Sequence, residues 1–273
     1  MRIAVVDIGT NSTRLLIADV GDGTLTELEK RSTVTRLGEG LEASGELGDA
    51  PQQRVIETLH EYNSLIERHR AQTRVAVMTS AVRDANNGVA FADTVRGRFG
   101  LDGRTLSGDE EARLSFLGAT AARPADEGPL LVIDIGGGST EMIVGSEGAV
   151  EFHVSTQVGV VRHTERHVTQ DPPQPEEMQA LAADARATIE QAVPDRVRSR
   201  VDAAVAVAGT ATSTAAISAG VTGTSALRVV VSPAPVTAQV MKASTFTTAR
   251  ARAAAAGSPR RRSPRSRRRS GRR

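Results

Sequence analysis

One short pattern recurs in this chain and constrains its architecture more than any other feature: an apolar strand ending in Asp-Ile-Gly, a run of small or hydroxyl residues, and a returning strand. The first copy runs from Arg2 through Asp7-Ile8-Gly9-Thr10-Asn11-Ser12 and returns over Thr13 to Val20. The second runs from Leu130 through Asp134-Ile135-Gly136-Gly137-Gly138-Ser139-Thr140-Glu141 and returns to Val144. Each reads as strand, tight polar turn and antiparallel strand. Each turn sets a carboxylate at a strand end beside consecutive backbone N–H groups, which can cradle a phosphate while the carboxylate holds a hydrated metal. Glycine matters there because a Cβ would obstruct the approach of an anionic oxygen, and Thr10, Ser12, Ser139 and Thr140 add hydroxyl donors. A single copy is equally well an ordinary hairpin turn. Two copies, with a third small-residue loop at Ala208-Gly209-Thr210-Ala211-Thr212 after a strand at Ala203 to Val207, argue against that reading.

The segments between the copies alternate helix and strand. From Gln52 to Arg68, Val55, Ile56, Leu59, Leu65 and Ile66 fall on one helical face, and Pro51 suits a helix start. Arg74 to Met78 is a strand, and Thr79-Ser80 leads into a second helix reaching Arg98. Asp109 to Ala122 reads as a helix opened by Ser107-Gly108, with acids in the first turn, where the helix dipole favours them. The Pro- and Gly-containing stretch from Arg123 to Pro129 places a domain boundary between units 1–123 and 124–219. Within the second unit a helix is expected from Pro175 to about Val193.

Beyond Ala219 the pattern fails. All 32 acidic residues lie at or before Asp202, so the chain up to that point carries 21 basic against 32 acidic side chains, a net of −11, while the remainder holds 13 basic residues and no acid. Residues 220–273 therefore form an atypical basic tail, expected to be largely disordered from about Ala249, because Arg, Ser and Pro cannot bury enough apolar surface to fold.

Composition removes several function classes. The absence of cysteine excludes disulfides, thiolate chemistry and cysteine-ligated zinc, so any metal must sit on oxygen or imidazole. Aromatics at 2% with no Trp argue against a base-stacking surface, and so against a specific nucleic-acid partner. No apolar run is long enough to span a bilayer and the start lacks the pattern of a signal peptide, so no membrane partner and a cytoplasmic location are expected.

The segments Val6 to Ser12 and Asp134 to Glu141 closely resemble the two phosphate motifs of the exopolyphosphatase and guanosine pentaphosphate phosphohydrolase family, part of the actin, heat-shock chaperone and sugar-kinase superfamily. Ser107-Gly108-Asp109-Glu110-Glu111-Ala112-Arg113 resembles that family's catalytic acidic segment, and Thr79-Ser80-Ala81-Val82-Arg83 its loop bearing a substrate-binding arginine. The resemblance runs from Arg2 to about Ile217, through Val158-Gly159-Val160-Val161-Arg162 and Ala208 to Ser213. It implies an α/β fold of two ribonuclease-H-like, actin-like ATPase domains with mixed five-stranded sheets and flanking helices, the second incomplete here, followed by the Arg-rich tail.

It also implies roles. Glu111 matches the catalytic glutamate, which orients and deprotonates the attacking water. Glu110, about 100° round the helix, faces solvent or tunes charge. Gly9, Thr10, Asn11, Ser12, Gly136, Gly137, Gly138, Ser139, Thr140, Gly209 and Thr210 bind phosphate, and Arg83 clamps one, its bland alternative being a salt bridge with Asp84 or another acid. Asp134 and Glu141 form a pair for Mg2+ or Mn2+, with Asp7 completing the acidic floor. Arg14, Arg36, Arg83 and Arg113 are candidates for the local positive charge that an anionic substrate needs against an acidic body. His163 and His167 are spaced like helical metal ligands, but without an evident third ligand a solvated face is the expectation.

The implied activity is hydrolysis of terminal phosphate from inorganic polyphosphate. Guanosine pentaphosphate 5′-phosphohydrolysis is the sibling alternative, a kinase or ATPase of the superfamily a second, and a noncatalytic polyanion-binding protein a third. The family's frequent dimers allow a homodimer. After Ala219 the helical and glycine-containing segments usual in the family are not found, and the composition is that expected of a GC-rich coding sequence read out of frame, which implies loss of the native C-terminal part. The tail's arginines could alternatively hold nucleic acid or polyphosphate nonspecifically through counterion release.

Overall fold

The computed structural model describes residues 1–21, 24–121, 128–146, 149–201, 203–219, 227–231 and 238–242. Its first sheet starts with β1 (Arg2–Ile8), whose alternation sends Ala4, Val6 and Ile8 into the core, and continues through β2 (Ser12–Gly21) and β3 (Thr24–Val34). After α1 (Leu41–Ser44) and α2 (Asp49–Arg68), the chain adds β4 (Thr73–Met78), α3 (Ser80–Asp84), α4 (Gly88–Phe99) and β5 (Asp102–Thr105). The order is β3-β2-β1-β4-β5, with the first three antiparallel and β4 and β5 parallel to β1. Helix α2 buries Val55, Ile56, Leu59, Tyr62 and Ile66 on this sheet, each aliphatic side chain contributing about 1.5–3 kcal/mol.

The one helix expected from Ser80 to Arg98 is two. Ala85 is extended, with φ −82° and ψ 137°. The Asn87 side chain accepts from Leu47 N at 2.8 Å and donates to Leu47 O at 2.9 Å. Gly88 sits so close to Val82 that a Cβ would stand 1.9 Å from its carbonyl oxygen. Hydrogen bonds to a distant loop outweigh the local periodicity.

Helix α5 (Gly108–Thr120) opens at Ser107-Gly108 as expected, and does so on a capping box: Glu110 N donates to Ser107 Oγ at 3.2 Å and Ser107 N donates to Glu110 Oε2 at 2.9 Å. Its packing cuts across the boundary expected at 123/124. Ala112 and Phe116 join Leu130, Val132 and Ile143 in the second core, so the chain changes cores between Leu101 and Ala112, ahead of the Pro- and Gly-containing segment that punctuates the sequence.

The second sheet comprises β6 (Leu130–Ile135), β7 (Thr140–Ser146), β8 (Ala149–Thr156), then, after α6 (Val160–His167), α7 (Pro175–Ala192) and α8 (Asp195–Arg198), β9 (Ala203–Val207). Helix α9 (Ala208–Ala219) is followed by β10 (Leu227–Val231) and β11 (Ala238–Lys242), giving the order β11-β10-β9-β6-β7-β8. Strands β8-β7-β6-β9 repeat the arrangement β3-β2-β1-β4, with β6 and β9 parallel. The sheet has six strands where five were expected, and β10 runs antiparallel to β9 where β5 runs parallel to β4. Two strands thus come from the stretch read as tail: backbone pairing along the open edge of β9 gives those groups partners that helical periodicity could not reveal. The expected disorder beyond Ala249 lies outside the described residues.

Candidate active site

The duplicated turns are geometric twins. Gly9 N donates to Ser12 O at 3.0 Å, and Gly136 N donates to Ser139 O at 2.9 Å. Asp7 stands opposite Arg14 across β1 and β2, and Asp134 opposite Glu141 across β6 and β7. The turns also touch. A Cβ on Gly137 would fall 2.9 Å from Thr10 Cβ, and one on Gly138 would fall 2.8 Å from Ser80 Oγ, so only glycine permits this approach. Thr10 and Ser80 share a buried hydroxyl hydrogen bond of 2.8 Å at the junction.

Between the two sheets lies a cleft of about 1000 Å³. Its wall takes Asp7, Gly9, Thr10, Asn11, Ser12 and Arg14 from the first turn, and Asp134, Gly136, Gly137 and Ser139 from the second. Glu111 and Ser115 enter from α5, Gly209 and Thr210 from the start of α9, and Lys30 and Arg31 from β3.

The carboxylates sense one another. Glu111 is pushed up to about 7, first by burial and then by the charge of Glu141, against the Arg83 guanidinium and with a further push from Asp134. Asp134 is raised by burial, although Ser115 donates to its Oδ2 at 2.7 Å. Asp7 is raised by burial and by Asp134, with Arg14 opposing from 3.3 Å. Glu141 is raised by burial, held by Ser139 and by a 2.8 Å bond from Ser155 Oγ. Four acids whose charged forms are all disfavoured gather at the cleft, three on its wall and Glu141 behind it, a pattern that concentrates at functional sites.

Not every expected residue reaches the cleft in the same way. Glu141 is 1% exposed and stands behind the wall, beside Asp134. Thr140 spends its hydroxyl on Val158 O at 2.6 Å, and Gly138 packs on Ser80. Arg83 pairs with Glu111 at 3.1 Å and Asp84 at 3.6 Å, the salt-bridged state named as its alternative. Arg36 and Arg113 are exposed and off the cleft wall, whereas Arg14 is on it. Lys30 and Arg31 were not singled out in sequence, because the polar run Thr24–Val34 shows no apolar alternation; its charged residues were the available signal. Glu110 caps α5, which lowers its pKa through the Ser107 N–H and hydroxyl.

Asp7 and Asp134 offer hard oxygen donors to the cleft, each with one carboxylate oxygen engaged by Arg14 or Ser115. With Glu141 behind them, this all-oxygen set suits Mg2+ or Mn2+, which bind one or two carboxylates plus waters and phosphate oxygens. The raised pKa values show that burial and mutual repulsion disfavour the charged carboxylates, a cost that a bound cation would relieve.

Two sheets of matched strand order, facing each other across paired glycine turns and a carboxylate cluster, define the actin-like ATPase class of α/β proteins. The sequence pattern of the Ppx/GppA phosphatase family matches residues 16–262. Exopolyphosphatase 2 of Mycobacterium tuberculosis is 36% identical over 243 residues, covering 86% of this chain and 76% of that protein. Exopolyphosphatase 1 of the same organism is 32% identical over 63% of this chain and 51% of its own length. Among solved structures, an exopolyphosphatase-like protein superposes with a TM-score of 0.76 at 34% identity, covering 81% of this chain and 69% of its own. The Aquifex aeolicus member of the Ppx/GppA family gives 0.63 at 33% identity, covering 81% and 70%. This chain belongs to the Ppx/GppA phosphatase family, and it is a hydrolase of phosphoric anhydrides. The family match extends past Ile217, where the motifs that carry the resemblance end. Among the described residues no helix is long and apolar enough to cross a membrane.

Proposed function

We propose that this chain removes terminal phosphate from inorganic polyphosphate by attack of water, with Glu111 as the general base. The observation that carries the reading is the placement of a carboxylate raised to about 7 on the wall of the cleft that both glycine turns also line. A base must be ionised at working pH yet basic enough to take a proton, and a value near neutrality meets both needs. Glu111 accepts the proton as the water oxygen bonds to the terminal phosphorus; the anhydride P–O bond breaks and the shortened chain leaves with its electron pair. The N–H groups of Thr10 to Ser12 and Gly137 to Ser139, with Gly209 and Thr210, orient the terminal phosphate, while Gly9 and Gly136 close their turns. Arg14, Lys30 and Arg31 supply positive charge along the wall, offsetting the acidic body. Asp7 and Asp134, backed by Glu141, would hold Mg2+ or Mn2+, which neutralises charge on the phosphate oxygens when bound.

Guanosine pentaphosphate presents the same terminal anhydride. The exopolyphosphatase names of the two Mycobacterium tuberculosis relatives favour polyphosphate as the first substrate. The deciding assay measures phosphate release with Mg2+ from polyphosphates of several lengths and from guanosine pentaphosphate, for the intact chain and Glu111→Gln. Release confined to the nucleotide selects the sibling activity, a requirement for a phosphoryl acceptor indicates a kinase, and binding without turnover in either protein leaves a polyanion binder.

A further inference from the structure

Helix α7 lies over α6 with little apolar anchorage: along its 18 residues none is fully buried, and Ile189 is its member of the neighbouring core cluster. What meets at this junction is polar. His163 and His167 stand one helical turn apart on α6, with ring centroids 5.8 Å apart, and Asp184 of α7 faces both. His167 Nε2 lies 2.8 Å from Asp184 Oδ2 and His163 Nε2 lies 3.5 Å from the same oxygen. His163 is not on a solvated face, as its sequence spacing suggested. It is 4% exposed, and neither ring nitrogen has a hydrogen-bond partner. A buried imidazole in that state has lost its water hydrogen bonds without replacement, which is unfavourable unless another group engages it.

We propose that His163, His167 and Asp184 form a binding site for a divalent transition-metal ion, Zn2+ by ligand chemistry, that pins α7 onto α6. The three ligand atoms already lie within 4.8 Å of one another. Tetrahedral zinc, with bonds of about 2.0–2.1 Å, needs its donors a little over 3 Å apart, so side-chain adjustment alone closes the site. Two imidazoles and one carboxylate select zinc over magnesium, which prefers oxygen ligands. The paired histidines at i and i+4 present their rings from one helical face, and water would take the fourth position. Arg166 competes for Asp184 Oδ2 from 3.4 Å, but its guanidinium is also bonded to Glu42, which keeps that charge compensated when the metal takes the oxygen. The site is separate from the cleft, whose wall contains none of the three residues. It nonetheless bears on it, since α6 starts at Val160, whose N–H donates to Gly136 O at 3.1 Å.

The test uses the full chain, stripped with a chelator and titrated with Zn2+, and with Co2+ as a spectroscopic probe. The expected result is an ion whose Co2+ form shows the strong visible absorption of tetrahedral coordination and whose Zn2+ form raises the melting temperature by several degrees; Mg2+ does neither. His167→Ala and Asp184→Ala, both at partly exposed positions, should each lose affinity at least 100-fold while retaining the native circular dichroism. Asp134→Asn, in the cleft, should retain the absorption. Failure of the intact chain to bind either ion at micromolar concentration, survival of the Co2+ band in both α6/α7 variants, or its loss in Asp134→Asn would overturn the site. If one variant does not fold, the other decides.

Discussion

Arg83 donates from one nitrogen, Nη1, to the Glu111 carboxylate at 3.1 Å and to the Leu106 carbonyl at 2.9 Å. The carbonyl fixes the guanidinium at the point where the chain passes from the first core to the second, and the guanidinium in turn fixes Glu111. Arg83 also lowers the Glu111 pKa against burial and Glu141, so one contact both aims the carboxylate and holds it at about 7.

Glu111→Gln should reduce phosphate release by roughly 10²- to 10⁴-fold, the range typical of a lost general base, with little change in KM. Steady-state kinetics on polyphosphate check this; a loss below tenfold would remove Glu111 from the chemistry.

For the intact chain, kcat/KM should rise as pH increases through about 7, because the base works ionised and kcat/KM reports the free enzyme's groups. Arg83→Met removes a cation that favours the charged form, so this limb should move to higher pH as the rate falls. A pH–rate profile of both proteins reads the shift, and an unmoved limb would contradict the assignment.

Stability should show the opposite trend. Asp7, Glu111, Asp134 and Glu141 are all raised, so the folded chain keeps protons that the unfolded chain has released. Their contribution is complete below the unfolded values near 4 and is lost as pH climbs through the folded ones, which for Glu111 is about 7. The melting temperature should therefore fall between pH 5 and pH 8, and Mg2+ should restore more of it at pH 8 than at pH 5. Thermal scans with and without Mg2+ measure both. The acids with lowered values, such as Asp184 and Glu42, act at lower pH and do not cancel this trend.

Gly159→Ala should destabilise the fold by about 3 kcal/mol, since its Cβ would lie 2.4 Å from Gly137 O and Gly138 C, both backbone atoms of the second turn. Gly209→Ala is the control. Its Cβ would meet only the flexible end of Arg14 at 3.4 Å, and the change should stay within about 1 kcal/mol. Denaturant unfolding compares the two.

Arg162→Ala should cost about 1–3 kcal/mol and loosen the junction between the halves. This largely buried guanidinium donates to Gly138 O at 2.9 Å, to Glu42 at 2.7 Å and to Asp84 at 2.7 Å; its removal leaves the carbonyl without this donor, Glu42 with Arg166 alone and Asp84 with Arg83 alone. Hydrogen exchange at the Gly136–Ser139 turn, faster in the variant, localises the effect.

The amino-acid sequence by itself determined the repeated strand–turn–strand units, the α2 face and the α5 cap, because each depends on residues within a few positions of one another. The turns and the family resemblance they carry also singled out Asp7, Glu111, Asp134 and Glu141. Only the tertiary structure decided that α5 belongs to the second core, that Ser80 to Phe99 breaks at Ala85, that Lys30 and Arg31 face the cleft, and that Asp184 comes to His163 and His167. Each of these depends on a partner tens of residues away, whose hydrogen bond or packing energy exceeds the local preference and leaves no periodic trace in the chain. The raised pKa values belong to the same category, since burial and like charge arise only when distant segments close around one volume.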